Sequence, residues 1–219
     1  MKEKSRKRII GAGLLFLAFV IWTALVLALD VQEIGPLGSD VGFATFNGHV
    51  HSITGVNMTL YAVTDWLGLV PIAVALAFAA FGLLQMLRRK SLLKVDASIL
   101  ALGAFYILVA AAYVFFEILV INRRPVLIEG RLEPSYPSST TVLVACVIPT
   151  AAMQLCNRMR SSAMKRTVAV VCLLFVSFMI IGRILSGVHW ITDIIGGILL
   201  SAALVELYRF LCEITYKCK

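Results

Sequence analysis

Ile9–Leu29 reads IIGAGLLFLAFVIWTALVLAL, twenty-one residues without a charge. At about 1.5 Å per helical residue, such a run covers the roughly 30 Å hydrocarbon thickness of a bilayer. Ahead of it stand Lys2, Lys4, Arg6, Lys7 and Arg8. A basic head before an apolar run also opens a secretory leader, but a leader's core is roughly 7–15 residues with a small-residue cleavage site behind it. This run is longer, and Val26-Leu27-Ala28 is a poor cleavage site. The stretch therefore predicts a retained membrane anchor.

Working outward, five more stretches read the same way: 60–87, 97–121, 141–156, 167–187 and 191–212. The whole chain of 219 residues is 60% apolar and only 15% charged, with a mean hydropathy of +0.94. A soluble domain is roughly 45–50% apolar and 25% charged, so this chain has too little polar surface to cover itself in water. Disordered chains and disulfide scaffolds are excluded by the same composition. The prediction is an all-α, six-span bundle forming a single integral membrane domain over 1–219. Any chemistry must then sit on the spans or their short loops.

Charge sets the orientation. Sixteen of the twenty Lys and Arg fall in the N-terminal head, in Arg88–Lys94, in Arg158–Arg166 and in Arg209–Lys219. Basic residues mark the cytoplasmic side, so both termini are expected inside. The net charge of +8 then reflects topology and attraction to anionic lipid heads, and calls for no nucleic acid. The other four cations, Arg123, Arg124, Arg131 and Arg183, fall on the outer side against that bias. Four arginines and no lysine suggest either a site for carboxylate or phosphate, which suits the planar guanidinium fork, or anchors snorkelling to lipid phosphates. No cysteine falls in an outer loop and no Cys/His spacing suits a metal, so neither a disulfide nor a metal or cofactor is expected.

Three outer segments stay polar: Asn122-Arg123-Arg124-Pro125, Tyr136-Pro137-Ser138-Ser139-Thr140-Thr141, and Gly182 to Asp193. In the second, Ser or Thr before Val142-Leu143-Val144 is a helix N-cap signature. A helix start also offers free N–H groups and the positive dipole end to an anion; capping and anion binding are compatible. In the third, His189 and Asp193 are spaced i, i+4 and share a helical face, so the carboxylate can orient the imidazole. A lone interfacial histidine is most often structural, but an ionisable partner at a span's edge costs free energy and usually has a role.

These blocks resemble the type 2 phosphatidic acid phosphatase (lipid phosphate phosphatase) superfamily, whose ordered motifs are Lys-x6-Arg-Pro, Pro-Ser-Gly-His and Ser-Arg-x5-His-x3-Asp. Arg124-Pro125, Pro137-Ser138, and Arg183, His189 and Asp193 match them over roughly 117–197. The resemblance implies metal-independent hydrolysis of a lipid phosphate or diphosphate through a phosphohistidine. His189 is the implied nucleophile and Asp193 its orienting partner. Arg124, Arg183 and the Ser138, Ser139 and Thr140 backbone are the implied phosphate ligands. The family's first-block lysine falls on Glu117, its second-block glycine and histidine on Ser139 and Thr140, and its third-block serine on Gly182. The missing histidine is the family's general acid, a function worth about 10²–10⁴ in rate. Arg123 and Arg131 are candidates to restore the positive field, and Glu117, His49 or His51 to supply a proton. The expected setting is the plasma membrane with the site on its outer side. Two rival classes stay open: a degenerate member that binds or carries phospholipid headgroups, and a lipid phosphotransferase.

Overall fold

The computed structural model describes residues 3–215; Lys2, Lys217, Cys218 and Lys219 lie outside the described residues. Eight α-helices follow one another: α1 Glu3–Ala28, α2 Ala44–Thr54, α3 Met58–Leu67, α4 Leu69–Arg89, α5 Ala97–Ile118, α6 Ser139–Arg158, α7 Ser162–Leu185 and α8 Ile191–Thr215. No strand occurs among the described residues; isolated bridges such as Arg123 to Pro134 and Ile128 to Arg131 tie the α5–α6 loop.

Six segments are long and apolar enough to cross a membrane: α1, α3 with α4 (Met58–Arg89), α5, α6, α7 and α8. The break between α3 and α4 falls at Gly68, three residues before Pro71. A proline ring clashes with the carbonyl four residues back and offers no N–H to it, which here is the carbonyl of Leu67. Lipid-facing positions keep their apolar side chains outside, among them Leu14, Ile107 and Leu173, each more than 60% exposed. Without surrounding water, association depends on close packing and internal hydrogen bonds rather than on burial.

α1 and α8 form the most extensive helix pair. At one end of the bundle Arg8 reaches Glu213 at 2.7 Å and Glu206 at 3.1 Å, so the start of α1 and the end of α8 lie together. Between them and α5 and α6 sits the main core, with Phe19, Leu102, Phe105, Val142, Leu204 and Tyr208 buried. Tyr136, in the loop before α6, inserts into this core. Its hydroxyl lies 2.6 Å from Thr23 Oγ1, and its ring stacks on Phe19 at 6.3 Å. The segment 30–59 is more than a linker: α2 packs on α8, and Asn47 Nδ2 donates to Thr192 Oγ1 at 2.9 Å.

Candidate active site

The three polar blocks meet at the bundle end opposite Arg8. Asp193, fully buried in the first turn of α8, is their junction. Its Oδ1 accepts from Asn122 Nδ2 at 3.2 Å and its Oδ2 from the backbone N–H of Trp190 at 3.0 Å. Its own carbonyl accepts from Ser138 N at 3.0 Å, at the start of α6. One residue thus ties Asn122 of the first block, Ser138 of the second and the turn that carries His189.

That turn is shaped by Gly187, whose φ of +65° suits a residue without a side chain; a Cβ there would lie 1.8 Å from the carbonyl oxygen of Gly55. His189 follows two residues later and is 5% exposed. Its Nε2 lies 3.3 Å from Arg124 Nη1. Asp193 Oδ2 is 3.9 Å from His189 Nδ1, beyond hydrogen-bond reach, so in this arrangement the carboxylate fixes the turn by way of Trp190 N–H. Burial, reinforced by Arg124 and then Arg183, holds His189 well below its ordinary value. The imidazole is therefore neutral at physiological pH, and a nitrogen lone pair is available for attack.

The two arginines line a cleft of about 1300 Å³ that also takes in Ser139, Thr140 and Glu117. His189 is not on its wall; the Arg124 guanidinium stands between cleft and imidazole. Each arginine is held by a carboxylate: Glu133 Oε2 lies 3.0 Å from Arg124 Nε, and Asp65 Oδ1 accepts from Arg183 Nη2 at 2.9 Å. Arg183 Nη2 also donates to Thr140 Oγ1 at 2.5 Å, and the guanidinium lies 5.1 Å from the Tyr61 ring centre. Yet Arg183 Nε and Nη1 are buried without a partner. Unsatisfied buried charge of this kind costs free energy, and an anion's oxygens would satisfy it.

The remaining predicted residues are placed variously. Ser138 is the N-cap of α6, but its hydroxyl accepts from Thr141 Oγ1 at 3.0 Å instead of capping. Arg123 donates to Leu132 O at 3.1 Å, and Arg131 is exposed in the Ile128–Arg131 turn, so both lie off the cleft wall. His49 is exposed on α2. His51 sits behind the site, its ring 5.4 Å from that of Trp190, sharing a pocket of about 10 Å³ with His189. Asn122 entered the sequence reading only as part of a polar segment, and three site residues escaped it: Asp65, Glu133 and Asp193's neighbour Ser135. Only Asp65 carried a signal, as the sole charge between Met58 and Leu87, where an ionisable residue inside a span marks a functional candidate.

The fold and this constellation define a class. The PAP2 superfamily family model matches residues 115–211, the segment that carries the three polar blocks. Among solved structures it is similar to the first transmembrane PAP2 type phosphatidylglycerolphosphate phosphatase from Bacillus subtilis, at 21% identity with a TM-score of 0.62. That likeness covers 95% of this chain and 98% of the other, and it shows a shared six-span fold. No curated protein matches.

Proposed function

We propose that the chain is a multi-pass membrane lipid phosphatase that hydrolyses a lipid phosphate or prenyl diphosphate through a phosphohistidine on His189. The observation that carries this reading is the placing of Arg124 Nη1 at 3.3 Å from His189 Nε2, beside a buried Arg183 with two unpartnered nitrogens. A phosphoryl group entering from the cleft exchanges Glu133 and Asp65 for its own oxygens on the two guanidinium groups. Arg124 moves with it and uncovers Nε2. Developing charge is then met by the two guanidinium cations. The match of residues 115–211 to the PAP2 superfamily model and the name of the similar Bacillus subtilis structure support a phosphatase kind of chemistry.

The cleft suits a lipid. It extends along α4 and α5 from the arginines to Met86, Leu92 and Val95, and wall residues such as Leu76 and Ile107 are also exposed to the bilayer. A helix of 21 residues such as α4 is roughly 30 Å long, so a tail longer than one leaflet finds wall along its whole length. The outer side of the plasma membrane is the proposed face, because the basic clusters lie at the opposite end of the bundle.

Arg183→Lys keeps one charge and loses the fork. Phosphate release should fall by about 1.5–3 kcal/mol of transition-state binding, the worth of a hydrogen bond to a charged group. Equal kcat/KM in wild type and variant would remove Arg183 from the phosphate site.

Thr140, standing where the family motif has its histidine, bears on substrate preference. Phosphatidic acid leaves as an alkoxide and needs a proton; a prenyl diphosphate leaves as a phosphomonoester and hardly does. The hydroxyl of Thr140 is a very weak acid. Purified protein should therefore release phosphate faster from a prenyl diphosphate than from phosphatidic acid, and Thr140→His should narrow that gap. Faster cleavage of phosphatidic acid by the wild type, with no gain from the variant, overturns the preference. Lipid binding without phosphate release favours a headgroup carrier, and transfer without free phosphate favours a phosphotransferase.

A further inference from the structure

Asp65 is the sole charge between Met58 and Leu87, and the reaction above gives it no chemistry of its own. A carboxylate within a spanning helix is costly and is a default mark of function. Its position is specific. Asp65 Oδ1 accepts from Arg183 Nη2 at 2.9 Å, and that same nitrogen donates to Thr140 Oγ1 at 2.5 Å. Carboxyl and hydroxyl thus share one corner of the guanidinium, and Thr140 is the position where the family motif has its histidine. Arg183 is 1% exposed, whereas the Asp65 side chain is 56% exposed and lines the cleft, so water reaches it.

The approach of α3 that brings Asp65 here is built into the sequence. A Cβ at position 182 would lie 2.7 Å from Thr64 Cγ2. Gly182, standing where the motif has serine, therefore lets α3 close on α7 beside Arg183. The other carboxylates on the cleft are placed differently: Glu133 is engaged by Arg124 at 3.0 Å, and Glu117 stands across the cleft on α5. The departures at 140 and 182 compensate each other: one removes a proton donor from α6, the other makes room for one from α3.

We infer that Asp65 is the general acid of this site, supplied from α3 in place of the histidine that α6 lacks. The inference rests on the lipid phosphatase reading. An arriving phosphate takes Arg183 from the carboxyl group, which enters the reaction carrying a proton taken up from solvent through the cleft. The His189 Nε2 lone pair attacks phosphorus. The bond from phosphorus to the lipid oxygen breaks with its electron pair on oxygen, and the Asp65 proton follows, releasing the lipid alcohol. Water then attacks the phosphohistidine, the Asp65 carboxylate takes its proton, and the P–N electron pair returns to Nε2 as inorganic phosphate leaves.

Two substrates with one tail isolate the proton. Farnesyl phosphate leaves as an alkoxide, and farnesyl diphosphate leaves as a phosphomonoester. Purified full-length wild type, Asp65→Asn, Asp65→Glu and His189→Gln are compared by phosphate release on both. Asp65→Asn is expected to lower the ratio of monophosphate to diphosphate turnover by about 10²–10⁴, and Asp65→Glu, which keeps an acid, to hold that ratio near the wild-type value. An unchanged ratio in Asp65→Asn overturns the assignment, as does inactivity of that variant on both substrates, which makes Asp65 a partner of Arg183 alone. A ratio in Asp65→Glu as low as in Asp65→Asn overturns it too. So does a wild type that cleaves only the diphosphate. A wild type no better than His189→Gln on either substrate brings down the phosphatase reading itself.

Discussion

Replacing His189 by glutamine should abolish phosphate release from every lipid phosphate and diphosphate. Glutamine fills a similar space and keeps a polar end, but it has no nitrogen lone pair able to attack phosphorus. No second imidazole stands ready: His49 is exposed on α2, and His51 packs on the far side, against Trp190. Removing the nucleophile of a covalent mechanism costs on the order of 10⁶ in rate. The fold should persist, because Arg124, whose Nη1 lies 3.3 Å from the ring, keeps Glu133 as partner of its Nε at 3.0 Å. Wild-type release from His189→Gln would mean that a water, and not the protein, attacks phosphorus.

Asp193→Asn should be nearly as severe, for a different reason. Both oxygens of Asp193 accept, from Asn122 Nδ2 at 3.2 Å and from Trp190 N at 3.0 Å. An asparagine has one acceptor oxygen, so its amide nitrogen must face one of those donors. A buried donor left unpaired costs about 1–3 kcal/mol, and the turn that holds His189 loses one of its fixings. A misplacement of about 1 Å in a reacting group can cost 10²-fold, so turnover should fall by at least that order. Thermal melting in detergent and phosphate release should both drop. Lost turnover with an unchanged melting curve would show that the carboxylate acts on the imidazole directly across 3.9 Å, not by holding the turn.

The sequence revealed the spans because hydropathy alone determines them: a run such as Ile9–Leu29 has no other place to lie. Its charge asymmetry foretold that Arg124 and Arg183 share an end of the bundle. Spacing foretold that His189 and Asp193 lie close, but not that Trp190 N–H, rather than the imidazole, takes the carboxylate. The partners of the arginines were harder to see. Asp65 lies 118 residues from Arg183, and the contact depends on a helix approach that only Gly182 hints at. Glu133 belongs to a loop whose path is set by the bridges at Arg123 and Ile128, with no periodic pattern to read. The helix within 30–59 was missed as well, because α2 is short and is held by Asn47 on Thr192 rather than by an apolar stripe.

The pairing of α1 with α8 has a consequence in time. The first of these six spans to leave the ribosome finds its principal partner in the last of the six. Trp22 Nε1 donates to the carbonyl of Thr192 at 3.1 Å, and Thr23 meets the hydroxyl of Tyr136, so α1 braces both the α8 turn below His189 and the loop that starts α6. Until translation of residues 191–215 ends, α1 must wait in the bilayer with its future contact face turned to lipid. Insertion can proceed span by span, whereas closure of the ring is a single late event. The candidate site therefore comes into being at that closure, so a nascent chain stalled before α8 would carry Arg124 and Arg183 but not the arrangement around them.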